Sequence, residues 1–218
     1  MTWYVFGLLP TIVPFYGTYV LNIEKQSLLL SILLLIAFLT SVPGILFWKS
    51  IGRKIGVRKG YMISLFGWAA ALIPFYFISD FVAGAITMVF VGLGLAGSLY
   101  YIDLIISDII DEDELKTGVR REGGYYGINA LVIRLSTILT FVTIGLVLST
   151  TGWYVYDPGA YSYEIEMGLR SLMFIFPAIA LIIGAISMYF YPLDGKRLKE
   201  QKAAREKLHS EKRAALAE

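Results

Sequence analysis

Arg134 stands about ten residues inside an apolar run that begins near Tyr125. At 1.5 Å per residue that is roughly 14 Å into a membrane helix, close to the bilayer centre. A charge at that depth costs about 2.5–3.5 kcal/mol on insertion scales, so a wet cavity or a paired carboxylate has to meet it. A structural ion pair locking two helices would meet the same demand. Intramembrane charges more often mark a substrate or ion path, and Arg134 is therefore expected to face a cavity, with Gly127 and Thr137 on the same helical face. Asp103 lies about twenty residues into the preceding run, near the edge of the hydrocarbon. It could pair with Arg134 or with an arginine outside the membrane, or simply be interfacial. Tyr100 and Tyr101 beside it could offer hydroxyls or ring faces to a sugar, or anchor a helix end at the headgroups.

Other patterns carry less chemistry. Gly92-Leu-Gly-Leu-Ala-Gly97 has the spacing of a dinucleotide-binding turn but lies inside an apolar run and follows no strand. Small residues there let helix backbones approach closely. Asp108, Asp111, Glu112, Asp113 and Glu114 lack the spacing of a calcium loop and have no histidine partner, so a solvated loop with Lys116, Arg120 and Arg121 is expected. His209, the only histidine, falls in a charged tail and is expected in solvent. With no cysteine there is no thiolate and no Cys-based metal site. Nothing assembles a catalytic constellation, so neither an enzyme nor a bound cofactor or metal is expected.

Composition supplies the setting. Of 218 residues 57% are hydrophobic and 17% charged, with the charges in blocks between long apolar runs, so lipid is the expected solvent. The net charge of +2 is too small and too scattered to indicate nucleic acid. Apolar runs fall near residues 3–21, 28–48, 61–78, 81–106, 125–148 and 169–191 and predict six crossings in a domain over residues 1–192. Trp3, Tyr4, Trp48, Tyr61, Trp153, Tyr154, Tyr189 and Tyr191 lie near run ends, where an aromatic belt is expected. Pro10, Pro14, Pro43 and Pro74 predict kinks.

Lysine and arginine crowd alternate connections: Lys49–Lys59, Lys116–Arg121 and the tail from Lys196, against Lys25 and Arg170 on the other side. This predicts a multi-pass protein of the plasma (inner) membrane with both termini cytoplasmic. The absence of a basic segment before the first run predicts no cleaved signal peptide. Residues 193–218 predict a frayed or interfacial helix, because Lys196–Glu200 and Lys202–Glu206 follow the weaker charge order. The aromatic segment Trp153–Tyr163 is expected to cap the outer side, the alternative being a lid over the cavity.

The run from Ser107 through Asp108, Asp111, Glu112, Asp113, Glu114, Lys116, Thr117, Gly118, Arg120, Arg121 and Glu122 to Gly123 resembles the cytoplasmic loop between the tenth and eleventh helices of the glycoside-pentoside-hexuronide:cation symporters. Residues 48–59 look like that family's basic loop after its eighth helix, and Tyr191-Pro-Leu193 like its usual ending. The resemblance implies an all-α membrane fold, the C-terminal half of a major facilitator transporter; six crossings with both ends on one side also read as two inverted three-helix units. It implies a sugar-like solute and a coupling cation, Na+ or H+. It also implies that Arg134 occupies the place of a family lysine near the solute and cation, in Tyr126-Gly-Ile-Asn129-Ala-Leu-Val-Ile-Arg134. Arginine keeps the charge but does not readily lose a proton, and Glu112 stands where the family often has tyrosine.

The expected cavity set is Arg134, Asp103, Tyr100, Tyr126, Asn129 and Thr137, and the expected gate is Asp108, Asp111, Glu114, Thr117, Gly118, Arg120, Arg121 and Glu122. The partner is expected to be a second six-helix half, either a second copy or a separate N-terminal-half chain. The alternatives are an accessory subunit of a larger membrane complex and a truncated fragment.

Overall fold

The computed structural model describes residues 1–24, 27–151 and 162–215, in which the regular structure is helical. Its elements are α1 (Thr2–Tyr19), α2 (Leu28–Ile55), α3 (Val57–Leu72) closing in a 3-10 turn (Ile73–Tyr76), α4 (Phe81–Thr117), α5 (Glu122–Thr150), α6 (Tyr163–Met173), α7 (Ile175–Tyr189) and α8 (Gly195–Ala215). The starts follow capping chemistry: the side chains of Ser27, Asp80 and Ser162 accept hydrogen bonds from the amides of Leu29, Ala83 and Ile165. Gly56 at φ 88° parts α2 from α3, and Gly118 at φ 73° ends α4.

Among the described residues four helices are long and apolar enough to cross a membrane: Leu28–Ile55, Phe81–Thr117, Glu122–Thr150 and Tyr163–Tyr189, the last being α6 and α7 together. The runs expected over 3–21 and 61–78 form α1 and α3, which fall short of that measure. Both prolines of α1 lie inside a continuous helix. α3 spans 16 residues, about 24 Å.

Three expectations change. The acidic segment is not a loop: α4 runs on to Thr117, 37 residues or about 55 Å, and only residues 118–121 connect it to α5. The last run is interrupted at Phe174 (φ −123°, ψ −60°), because Pro177 has no N–H for the carbonyl of Met173. Trp48 and Tyr61, expected to turn outward in an aromatic belt, are buried between helices; Trp48 Nε1 donates to Leu93 O at 2.7 Å and the Tyr61 hydroxyl pairs with Thr2 at 2.8 Å. The segment expected as an outer cap lies mostly outside the described residues.

The glycines of α4 set the packing. An added Cβ on Gly92 would stand 2.4 Å from Ala37 O, and one on Gly94 would stand 2.4 Å from the Trp68 side chain. Close approach of the α4 backbone to α2 and to the Trp68 side chain of α3 accounts for the glycine spacing. Trp48→Phe keeps an aromatic ring but loses the bond to Leu93 and part of the indole volume, and is expected to lower unfolding stability in mixed micelles by at least about 1 kcal/mol.

α3 lies antiparallel to α6 and α7 and is laced to them at both ends by arginines. Arg58 donates to Met188 O at 3.2 Å and to Tyr189 O, satisfying the last carbonyls of α7. Arg170, expected in an exposed connection, is buried at 6% exposure. It donates to the carbonyls of Tyr76 and Ile78 at 2.8 Å each and to Ser79 Oγ at 2.7 Å, while Glu166 accepts from it at 2.7 Å.

Candidate functional site

The face that α5 turns to the rest of the chain is narrow and weakly polar. Ser136, Thr140 and Thr143 are buried there, and the Thr140 hydroxyl reaches Tyr4 O at 3.4 Å and Ser136 O at 3.0 Å. Most of the remaining surface of α5 is exposed, including Leu131, Leu135, Ile138, Phe141 and Val142. Arg134 precedes Ser136 by two residues, about 160° away around the helix, and is exposed on the outward side with Thr137. It is also the thirteenth residue of the helix, about 18 Å from its start. No ion pair of Arg134 or Asp103 occurs among the described residues, so of the alternatives for Asp103 neither the pairing with Arg134 nor that with an arginine outside the membrane is made in this conformation.

The remaining cavity candidates divide. Asn129 is half-buried and accepts from Trp3 Nε1 at 3.1 Å, which ties α5 to α1. Tyr126 is 47% exposed, and Tyr100 is half-buried with its ring centroid 5.0 Å from that of Tyr101. Tyr101 is removed from the surface altogether: its hydroxyl donates to Trp48 O at 3.0 Å beside Gly60 and Gly52.

The gate candidates gather at the far end of α4. Asp108, Asp111 and Glu114 are buried, contrary to the solvated loop expected. Arg120 Nη1 lies 2.9 Å from both Asp111 Oδ1 and Glu114 Oε2, and its Nε lies 2.6 Å from Glu122 Oε1. Those bonds, Glu122 first, hold the guanidinium further into its charged form than is usual for arginine. Arg121 pairs with Asp113 through two nitrogens at 2.6 and 2.9 Å. The Thr117 hydroxyl donates to Asp113 O at 2.8 Å next to Gly118.

Sequence reasoning missed the other half of this cluster. α8 is docked on α4, not frayed: Arg197 reaches Glu112 at 2.8 Å, Lys202 reaches Asp108 at 3.5 Å, Arg205 pairs with Asp111, and Gln201 donates to Asp108 O. His209, expected in solvent, lies 3.2 Å from Glu114. The four-residue spacing of Arg197, Gln201, Arg205 and His209 was the available signal.

The sequence profile of the family described as "MFS/sugar transport protein" matches residues 1–195. The chain belongs to this family of sugar symporter-type membrane proteins. Its relatives include two proteins of Escherichia coli strain K12 described as "Putative 2,3-dihydroxypropane-1-sulfonate exporter" and "Putative sulfoquinovose importer". The first is 30% identical over 201 residues, 88% of this chain and 42% of the relative. The second is 32% identical over 150 residues, 66% and 31%. A "Glucuronide carrier protein homolog" of the same strain is 22% identical over 195 residues, 85% and 40%. The chain thus spans less than half the length of these curated relatives. Within the MFS/sugar transport family match lie α1 to α7 with Arg134 and the Arg120 cluster, and the match stops where α8 begins.

Proposed function

We propose that this chain is a six-crossing half of a secondary transporter and that, once a second half covers α5, it moves a small hydroxylated solute bearing an anionic group. The observation that supports this is the placement of Arg134, at mid-helix on the side of α5 turned away from the chain's own packing. Lipid tails cannot be the neighbours of a guanidinium at that depth without a large cost, so a second half has to cover it. In major facilitator folds the solute lies between two such halves and is released as they rock.

The planar fork of arginine suits a sulfonate or carboxylate held through two nitrogens. The names of the relatives point the same way, since a dihydroxypropane sulfonate, a sulfoquinovose and a glucuronide each join hydroxyls to an anion. Tyr126, Thr137 and Asn129 are the polar groups of α5 near that path, with Asp103 and Tyr100 on α4 completing the cavity set. Because Arg134 does not readily lose its proton, a coupling H+ or Na+ would be held elsewhere. In this scheme α1 and α3 also cross the membrane, both termini face the cytoplasm, and the Asp108–Glu122 cluster is the cytoplasmic gate of an inner-membrane protein.

Mass and composition of the complex extracted gently from its native membrane come first. A second copy or another six-helix chain supports pairing. A large unrelated assembly would favour the accessory reading. In vesicles holding the paired complex, Arg134→Leu is expected to lower uptake of a sulfonated or carboxylated sugar about a hundredfold, with Arg134→Lys retaining part of it. Unchanged uptake with leucine would remove Arg134 from the solute path.

A further inference from the structure

Asp111 and Glu114 are each held from two directions. Arg120 Nη1 takes Asp111 Oδ1 and Glu114 Oε2, both at 2.9 Å, while α8 brings Arg205 to Asp111 Oδ2 and His209 to Glu114 Oε2 at 3.2 Å. Arg120 passes the contact on, since its Nε donates to Oε1 of Glu122, the first residue of α5, at 2.6 Å. Three carboxylates thus converge on one guanidinium. Without the cations of α8 they would outnumber it and repel one another, and the two on α4, 3% exposed as side chains under α8, would meet water that screens their pull on Arg120.

The contact is also built to part. Its α8 side chains are partly exposed, 56% for Arg197, 52% for Lys202, and 37% for both Arg205 and His209, so salt and water reach them. α8 lies beyond the residues that the family profile matches.

We propose that α8 is a releasable strap: docked, it holds the start of α5 in place through Asp111, Glu114 and Arg120, and undocked, it frees the 118–126 segment. This does not depend on the solute proposed above. The exposed Arg121–Asp113 pair is a second tie between the connection and α4, but surface pairs hold weakly.

Hydrogen exchange on the full chain in lipid nanodiscs tests it. In the Arg205→Gln, His209→Gln double variant the amides of residues 119–126 are expected to exchange about tenfold faster than in the parent protein. Residues 37–48, packed on the α4 glycines, should keep their protection and so report an intact core. The parent protein should show the same local change when salt rises from about 0.1 M to about 1 M, as the Debye length falls from ~10 Å to ~3 Å, with no variant needed. Release of α8 amides with residues 119–126 unchanged would overturn the proposal, and so would protection of α8 that neither the variant nor salt alters.

Discussion

Replacing Arg170 with methionine is expected to lower stability by about 3–5 kcal/mol, the range for breaking a buried ion pair from one side. Its guanidinium serves three groups at once: the carbonyls that close the 3-10 turn after α3, the Ser79 hydroxyl, and the Glu166 carboxylate one turn earlier on its own helix. Tyr16 adds a hydrogen bond to Phe75 O at 2.6 Å from α1, so three elements meet at this point. Methionine fills the volume of the stem and leaves the carbonyls of Tyr76 and Ile78 with one fewer donor each in a site that water barely reaches. Equilibrium unfolding in mixed micelles measures the loss. Arg58→Met, whose side chain is 26% exposed, should lose clearly less. Equal midpoints for Arg170→Met and the parent would mean that water replaces the guanidinium at no cost.

Gly92→Ala is expected to cost about 3 kcal/mol, the upper end for an overpacked methyl. The obstruction is backbone: the new Cβ would stand 2.4 Å from Ala37 O and 2.1 Å from Thr40 Oγ1. A side chain can rotate away, but a helical carbonyl moves only if α2 and α4 separate along their whole contact. The same measurement on Gly127→Ala provides the contrast, since nothing lies within 4 Å of a Cβ there, and on stability alone it should be neutral or slightly favourable. A Gly92→Ala protein as stable as its parent would mean that α2 and α4 can part enough to take the methyl without cost.

Apolar run length was enough to place the helical elements in order, because hydropathy integrates over some twenty residues and tolerates local irregularity. Charge hid what lay beyond those runs. Asp108 to Lys116 looked like a loop since charged residues interrupt an apolar run, yet Glu112–Lys116 at 3.0 Å is an ordinary helical pair and the segment continues α4. Arg170 looked like a loop cation because its partners, main-chain carbonyls some 92 to 95 residues away, leave no mark in sequence. Trp48 and Tyr101 were misplaced for a related reason: an aromatic near a run end fits either a membrane surface or a helix contact, and only packing separates the two. For the site, the unusual depth of Arg134 was legible from position alone. Its direction was not, since that depends on which face of α5 carries Ser136, Thr140 and Thr143 inward.

α1 has a consequence for how the chain is made. It carries two prolines and falls short of the length and hydropathy that α2 reaches. Yet Leu8, Ile12 and Tyr16 are almost wholly buried, with α2, α5, α6 and α7 around them. Protein rather than lipid is its solvent, and most of that protein is not yet synthesised when α1 emerges. At roughly 5–20 residues per second, the ribosome needs some 10–30 s to deliver α5 and α6 behind it. In the six-crossing arrangement proposed above, α1 is the first helix of this chain to leave the ribosome and among the last to settle, and the insertion machinery has to shelter it in between.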